Sequence, residues 1–337
     1  CLSPTDLTWS PTGSQLAFIV PGPWQRDSAW VVDRDGGALH RIADDVECCL
    51  AWVEHIARSG ARIVPTVPTA HLHLSGTIAY DNPAGGPDSQ IRLLSLGGGG
   101  GRSKPRVVLR QSLEPSWSPD GQEIAFGGLS ATPNTNIYVA DRNGKNIRVL
   151  TRFRRGATQP AWSPDGRTIA FEAEGEIRLM SAAGGRSRTL VTNGVSPSWS
   201  PSGSELVFER HLAPRSEALF TIRADGTGLH RLTNLPEFQR SPVWSPDGKE
   251  IAFEWLTPNG DGLYLIRPDG THLRRVTTAP LPPGKPAWSP DSRYLVVISA
   301  RGRMTSTQVR VIDVKSGRVA IVATVPGYAA NPSWSSR

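Results

Sequence analysis

The segment PSWSPDGQEIAF, residues 115–126, returns as PAWSPDGRTIAF, PSWSPSGSELVF and PVWSPDGKEIAF. Seven of the eleven tryptophans, Trp9, Trp117, Trp162, Trp199, Trp244, Trp288 and Trp334, are each followed by serine. After the first six, an apolar triplet starts seven residues on, at Leu16, Ile124, Ile169, Leu206, Ile251 and Leu295. A constant offset means a turn of constant length. The segment GTIAY carries the same triplet at Ile78, and counting back seven reaches His71, where the tryptophan has been lost.

Unit starts therefore fall at 9, 71, 117, 162, 199, 244, 288 and 334, and the steps are 62, 46, 45, 37, 45, 44 and 46. Six of the seven have the length of a four-stranded propeller blade. Each unit reads as four strands: one ending at Pro-x-Trp-Ser, the triplet strand, a third such as NIYVAD or GLYLIR, and a fourth such as IRVLT or LHRLT. Alternating apolar and polar positions rich in β-branched residues are the strand signal. The expected fold is all-β, a β-propeller of four-stranded antiparallel blades spanning 1–337 as a single domain. Seven blades are expected, with six or eight as alternatives. The final NPSWSSR supplies only a first strand, and is expected to close the ring by completing the N-terminal blade.

The motif itself is structural. In Ser118-Pro119-Asp120-Gly121, serine bonds back to the backbone, proline presets φ and glycine suits the fourth place of a type I turn. Trp117 is expected to wedge between neighbouring sheets. Asp120, Asp165, Asp247 and Asp291 recur once per blade, so they read as turn formers rather than catalytic acids.

The pairing of WSPDGxxIAF with IYVADRNGKNIRVLT, LFTIRADGTGLHRLT and LYLIRPDGTHLRRVT resembles the TolB-like β-propeller repeat. The resemblance runs over nearly the whole chain. It implies a periplasmic scaffold that binds a lipoprotein or a peptide. Family members also carry an α/β domain ahead of the propeller, whereas this sequence begins within a repeat. The same repeat occurs in prolyl-oligopeptidase-like peptidases and in polysaccharide lyases, so it specifies fold more tightly than function. A peptidase of that type needs Gly-x-Ser-x-Gly, and no such pentapeptide occurs.

The pattern breaks in the longest unit. Residues 44–60, DDVECCLAWVEHIARSG, carry Val46, Cys49, Leu50, Val53, Ile56 and Ala57 at helical spacing. A helix inserted between the first two blades is expected there, capped by Asp44 or Asp45 and stopped by Gly60, with Trp52 and His55 beside its apolar stripe. Propellers present the loops between the fourth strand of one blade and the first of the next around a central funnel. Those loops hold Glu114, Gln159, Arg240, Lys285, Tyr328 and Asn331. Together with Trp52 and His55 they form the expected binding set, with a protein, peptide or glycan as ligand.

A formal charge of +7 invites acidic partners. The basic residues are scattered, however, and the densest run, RFRRG at 152–156, reads as a solvated loop, so nucleic acid is not expected. His71 and His73 share a strand face and NGDG at 259–262 reads as a turn. No metal, cofactor or catalytic residue is expected. Three cysteines form no disulfide framework. No apolar run reaches membrane-helix length. Cys1 would suit a lipid anchor, and the expected location is extracytoplasmic. The function expected is a non-catalytic binding scaffold. The alternatives are a propeller lyase or hydrolase acting on acidic glycan, and a structural subunit of an extracellular assembly.

Overall fold

A computed structural model describes residues 7–9, 15–20, 28–33, 39–44, 76–82, 89–96, 105–129, 135–213, 216–257, 261–277, 285–301, 306–326 and 329–335. The chain divides into two compact units, Cys1–Pro65 and Thr66–Arg337. The expected helix, with Trp52 and His55, lies outside the described residues, except that Asp44 ends a strand. His71, His73 and Tyr328 also lie outside them.

The first unit contains one four-stranded sheet, β1 (Leu7–Trp9), β2 (Gln15–Val20), β3 (Ser28–Asp33) and β4 (Leu39–Asp44), paired in sequence order. Its strands are antiparallel, with Trp9 opposite Leu16.

Among the described residues the second unit contains six blades, antiparallel within each blade. Blade A is β5 (Gly76–Asn82), β6 (Gln90–Leu96) and β7 (Arg106–Arg110), and blade B is β8 (Ser112–Trp117), β9 (Glu123–Leu129), β10 (Thr135–Asp141) and β11 (Arg148–Val149). Blade C runs from β12 (Thr158–Trp162) through β13 (Thr168–Ala173) and β14 (Glu176–Ser181) to β15 (Arg188–Thr192). Blade D is β16 (Val195–Trp199), β17 (Glu205–Ala213), β18 (Ser216–Arg223) and β19 (His230–Arg231). Blade E is β20 (Phe238–Trp244), β21 (Ile251–Leu256), β22 (Gly262–Ile266) and β23 (Arg274–Arg275). Blade F is β24 (Ala287–Trp288), β25 (Tyr294–Arg301), β26 (Ser306–Asp313) and β27 (Val319–Pro326). Among the described residues a parallel bridge between Glu217 and Phe238 joins blades D and E into one eight-stranded sheet; the six blades of the second unit close on one another, where seven were expected.

Closure differs from the expectation. The last strand, β28 (Ala330–Ser335), completes blade A rather than the N-terminal sheet, which already has a first strand of its own. Trp334 lies opposite Ile78, the register that Trp117 keeps with Ile124 and Trp162 with Ile169. The tryptophan missing at His71 is thus supplied from the other end of the chain. Gly76 permits this, because its φ is +104° and a Cβ on it would lie 2.0 Å from Ser335 O.

The core is distributed between blades. Trp117 packs with Ala79, Ile91, Leu93 and Leu109 of blade A, and Trp162 with Ala125 and Val139 of blade B. Trp199, Trp244 and Trp288 repeat the arrangement against blades C, D and E. Trp334 joins Tyr294, Val296 and Val309 of blade F to Ile78 and Tyr80 of blade A, so the sixth layer closes the ring. Each wedge confers roughly 4–6 kcal/mol of gross transfer free energy, from an aromatic burial of about 150–250 Å².

The turns behave as their residues dictate. Gly121 N donates to Ser118 O at 2.9 Å, Ser118 Oγ to Asp120 Oδ1 at 2.6 Å, and Glu123 N to Ser118 Oγ at 2.9 Å. The same bonds recur at Ser163/Asp165, Ser245/Asp247 and Ser289/Asp291. In blade D, Ser202 replaces the aspartate and bonds Ser200 Oγ. Bonding within the turn satisfies these carboxylates, as expected of turn formers.

Candidate functional site

At the other end of the same two strands, proline stands two residues before each tryptophan from Trp117 to Trp334, whereas β1 has Leu7 there. Proline cannot donate to the ladder, so the strand bulges there. Register shifts fall between Leu113 and Ser116, Thr158 and Ala161, Val195 and Ser198, Arg240 and Val243, and Ala330 and Ser333. The residue before each of these prolines turns left-handed, with φ near +50° at Glu114, Gln159, Ser196, Ser241 and Asn331. Its N–H then faces the neighbouring blade instead of its own sheet.

A chain of hydrogen bonds follows. Gln159 N donates to Glu114 Oε2 at 2.7 Å, and Ser196 N to Gln159 Oε1 at 2.7 Å. Ser196 is too short to continue, and Glu209 of its own blade accepts from Ser241 N at 3.2 Å instead. Asp81 closes the other side, accepting from Glu114 N at 2.7 Å and from Asn331 Nδ2 at 2.9 Å. A second tier lies one residue before the tryptophans: Ser333 Oγ accepts from Trp117 N at 3.2 Å, and Ser198 Oγ from Trp244 N at 3.1 Å.

The Pro-x-Trp segments of five blades and β28, together with Lys285, line a central cavity of about 250 Å³. Asp81 is fully buried. Burial pushes its carboxyl up to about 6, against the hydrogen bonds from Asn331 and Glu114 N. Burial also raises Glu114, opposed by the Gln159 N–H and by Lys285. Lys285 is lowered by burial, with Glu114 and Asp81 holding its ammonium against that push. Asp81 Oδ1 is buried and has no hydrogen-bond partner. One ammonium and two carboxylates thus share a site poor in water, where charges interact strongly.

A second polar group lies at the same end. Glu217, buried on β18, accepts from Arg240 Nε and from Arg240 Nη2 at 3.1 Å, and lies 2.8 Å from His211 Nδ1. Glu209, His211 and Glu217 bring their donor atoms within 4.8 Å of one another, the spacing of a metal cluster. The Arg240 guanidinium already engages both Glu217 oxygens, so the chemistry is that of an ion-pair network. Arg240 also stacks over Phe238, 4.8 Å from the ring centre.

The structure thus brings Glu114, Gln159, Lys285 and Asn331 together, while Arg240 turns to Glu217. Sequence reasoning missed Asp81 and Glu209. Their signal is the acid that follows the triplet in IAYD and LVFE. No helix among the described residues is long and apolar enough to cross a membrane.

Residues 175–337 match the family model described as TolB beta propeller domain. No curated protein is significantly similar in sequence. Among solved structures, TolB from Acinetobacter baumannii is similar at a TM-score of 0.67 and 20% identity, over 95% of this chain and 82% of that one. A protein from Agrobacterium tumefaciens described as TolB is similar at 0.60 and 22%, over 75% and 90%. A chain of the nidogen/laminin complex is similar at 0.60 and 15%, over 78% and 100%. At these identities the likeness concerns fold.

Proposed function

For a chain built of TolB-like β-propeller repeats, we propose a non-catalytic binding scaffold of the cell envelope or exterior. It takes a protein or peptide segment at the end of the ring where the first strands begin. The carrying observation is a charged set in which half-buried Lys285 lines the central cavity and interacts with half-buried Glu114 and fully buried Asp81 behind it. Such groups cost stability when desolvated without full pairing, and an arrangement of this kind marks a binding site. Asp81 Oδ1 is left to accept from a ligand donor. Most other polar groups at this end are spent on the seams between blades, which makes the wall rigid and favours recognition over chemistry. An extracytoplasmic location agrees with the family.

The test is affinity capture from envelope extract, using the wild type, Lys285→Met and the turn variant Asp291→Ala. Loss of the captured partner with Lys285→Met but not with Asp291→Ala supports the reading. Equal capture by all three, or turnover of a uronic-acid polymer by the wild type, overturns it.

A further inference from the structure

Blade C breaks a charge pattern that blades B and E keep. In blades B and E an arginine at the start of the fourth strand reaches the next blade and also pairs with a glutamate at the start of the second strand. Arg148 donates to Ala182 O at 2.6 Å and to Glu123 at 3.1 Å. Arg274 donates to Val314 O at 3.2 Å and to Glu250 at 2.9 Å. In blade C, Arg188 makes the bond to the next blade, at Ala224 O, but the glutamate position, six residues after the tryptophan, holds Thr168.

That missing carboxylate lies in a groove of about 580 Å³ between blades C and D, on the side of the Ser-Pro-Asp-Gly turns. Arg167, Arg186 and Arg188 line it, and all three are exposed. Among its lining residues the one acid is Asp165, whose Oδ1 already accepts from Ser163 Oγ and from Arg167 N. Asp225 lies within electrostatic reach of Arg188, but its Oδ1 is taken by Thr227 N and Oγ1. The floor is apolar, with half-buried Trp199 beside Leu179 and Met180.

We propose that this groove binds an anionic saccharide, one or two sugar rings bearing a carboxylate or a phosphate. Guanidinium forks suit planar or tetrahedral oxyanions, an indole suits the apolar face of a sugar ring, and the volume suits that size. The site is separate from the central cavity and goes beyond the scaffold reading.

The experiment is calorimetric titration with digalacturonate and glucose 1-phosphate, with maltose and inorganic phosphate as comparison probes. The expected result is saturable binding of the two charged sugars and none of maltose. Thr168→Glu, which supplies the carboxylate that blades B and E possess, weakens binding about tenfold or more, as does Arg186→Gln on the exposed rim. Lys285→Met leaves binding unchanged, which separates this site from the central cavity. Absence of saturable binding, or Thr168→Glu binding as wild type does, overturns the proposal. Inorganic phosphate binding as tightly as glucose 1-phosphate overturns the saccharide assignment.

Discussion

The first two strands of each blade have a turn at one end and a bulge at the other, and carboxylates stand at both. At the turn, Asp165 is exposed, and bonds from Ser163 Oγ and Arg167 N hold its carboxyl below the usual range. Asp141, in the turn between the third and fourth strands of blade B, is held down in the same way by the Lys145 and Asn143 N–H groups. At the bulge, burial pushes Asp81, Glu114 and Glu209 the other way. The turn carboxylates bond their own neighbours in sequence, so each blade can repeat them unchanged. The bulge carboxylates bond a different blade, so each depends on what its neighbour offers, and the residues there vary around the ring. Repetition marks what folds the chain, and variation at the bulge marks where a ligand could be told apart.

The largest effect that would break this comparison is at closure. Gly76→Val places side-chain atoms where β28 must lie, and Trp334 loses its wedge position. The expected loss is about 3–5 kcal/mol, the range for deleting a buried tryptophan, read as a lower urea midpoint for the second unit. A native midpoint would mean that β28 does not close the ring.

Next comes Asp81. Asp81→Ala strips the acceptor from Glu114 N and Asn331 Nδ2, at about 1–3 kcal/mol for each donor left buried. Asp81→Asn keeps an acceptor and should be far milder. Equal losses in the two variants would show that the hydrogen bonds contribute little.

The pH dependence sharpens the contrast. The folded carboxyl of Asp81 titrates at about 6, against an ordinary value of 3.8. The native state therefore holds that proton more tightly than the unfolded chain. The stability that the charged form costs at neutral pH is regained as pH falls through 6 toward 4, and it is lost again on the way up. Melting followed from pH 7 to 5 should show this gain, and Asp81→Asn should flatten it.

The smallest effect belongs to the turns. Asp291→Ala, which removes the acceptor of Ser289 Oγ and Arg293 N, should cost about 1 kcal/mol by thermal melting and leave partner capture intact. A change in capture would move function to the turn face.

Much of this was legible because the turn and the wedge are local. The spacing from tryptophan to triplet matches the register of every first pair except that of blade A, where Trp334 meets Ile78, and Glu114, Gln159, Lys285 and Asn331 follow from counting three residues back from each tryptophan. Arg240 shows the limit. It is four residues before Trp244, and across a bulge that single step turns a side chain from the channel wall toward Glu217. Closure was not legible in detail, because Trp334 and Ile78 are far apart in sequence and two first strands competed for the role. The surplus charge of blade C was not read from the sequence, because Thr168 in place of a glutamate gains meaning only from the arginines that the fold gathers around the groove.

The most direct measurement is a carboxyl NMR titration that follows Asp81 and Asp165 in one sample. The account predicts a midpoint of about 6 for Asp81 and one below the ordinary aspartate value for Asp165. Two midpoints together at the ordinary value would contradict it, because the two ends of the strand pair would then offer the same environment.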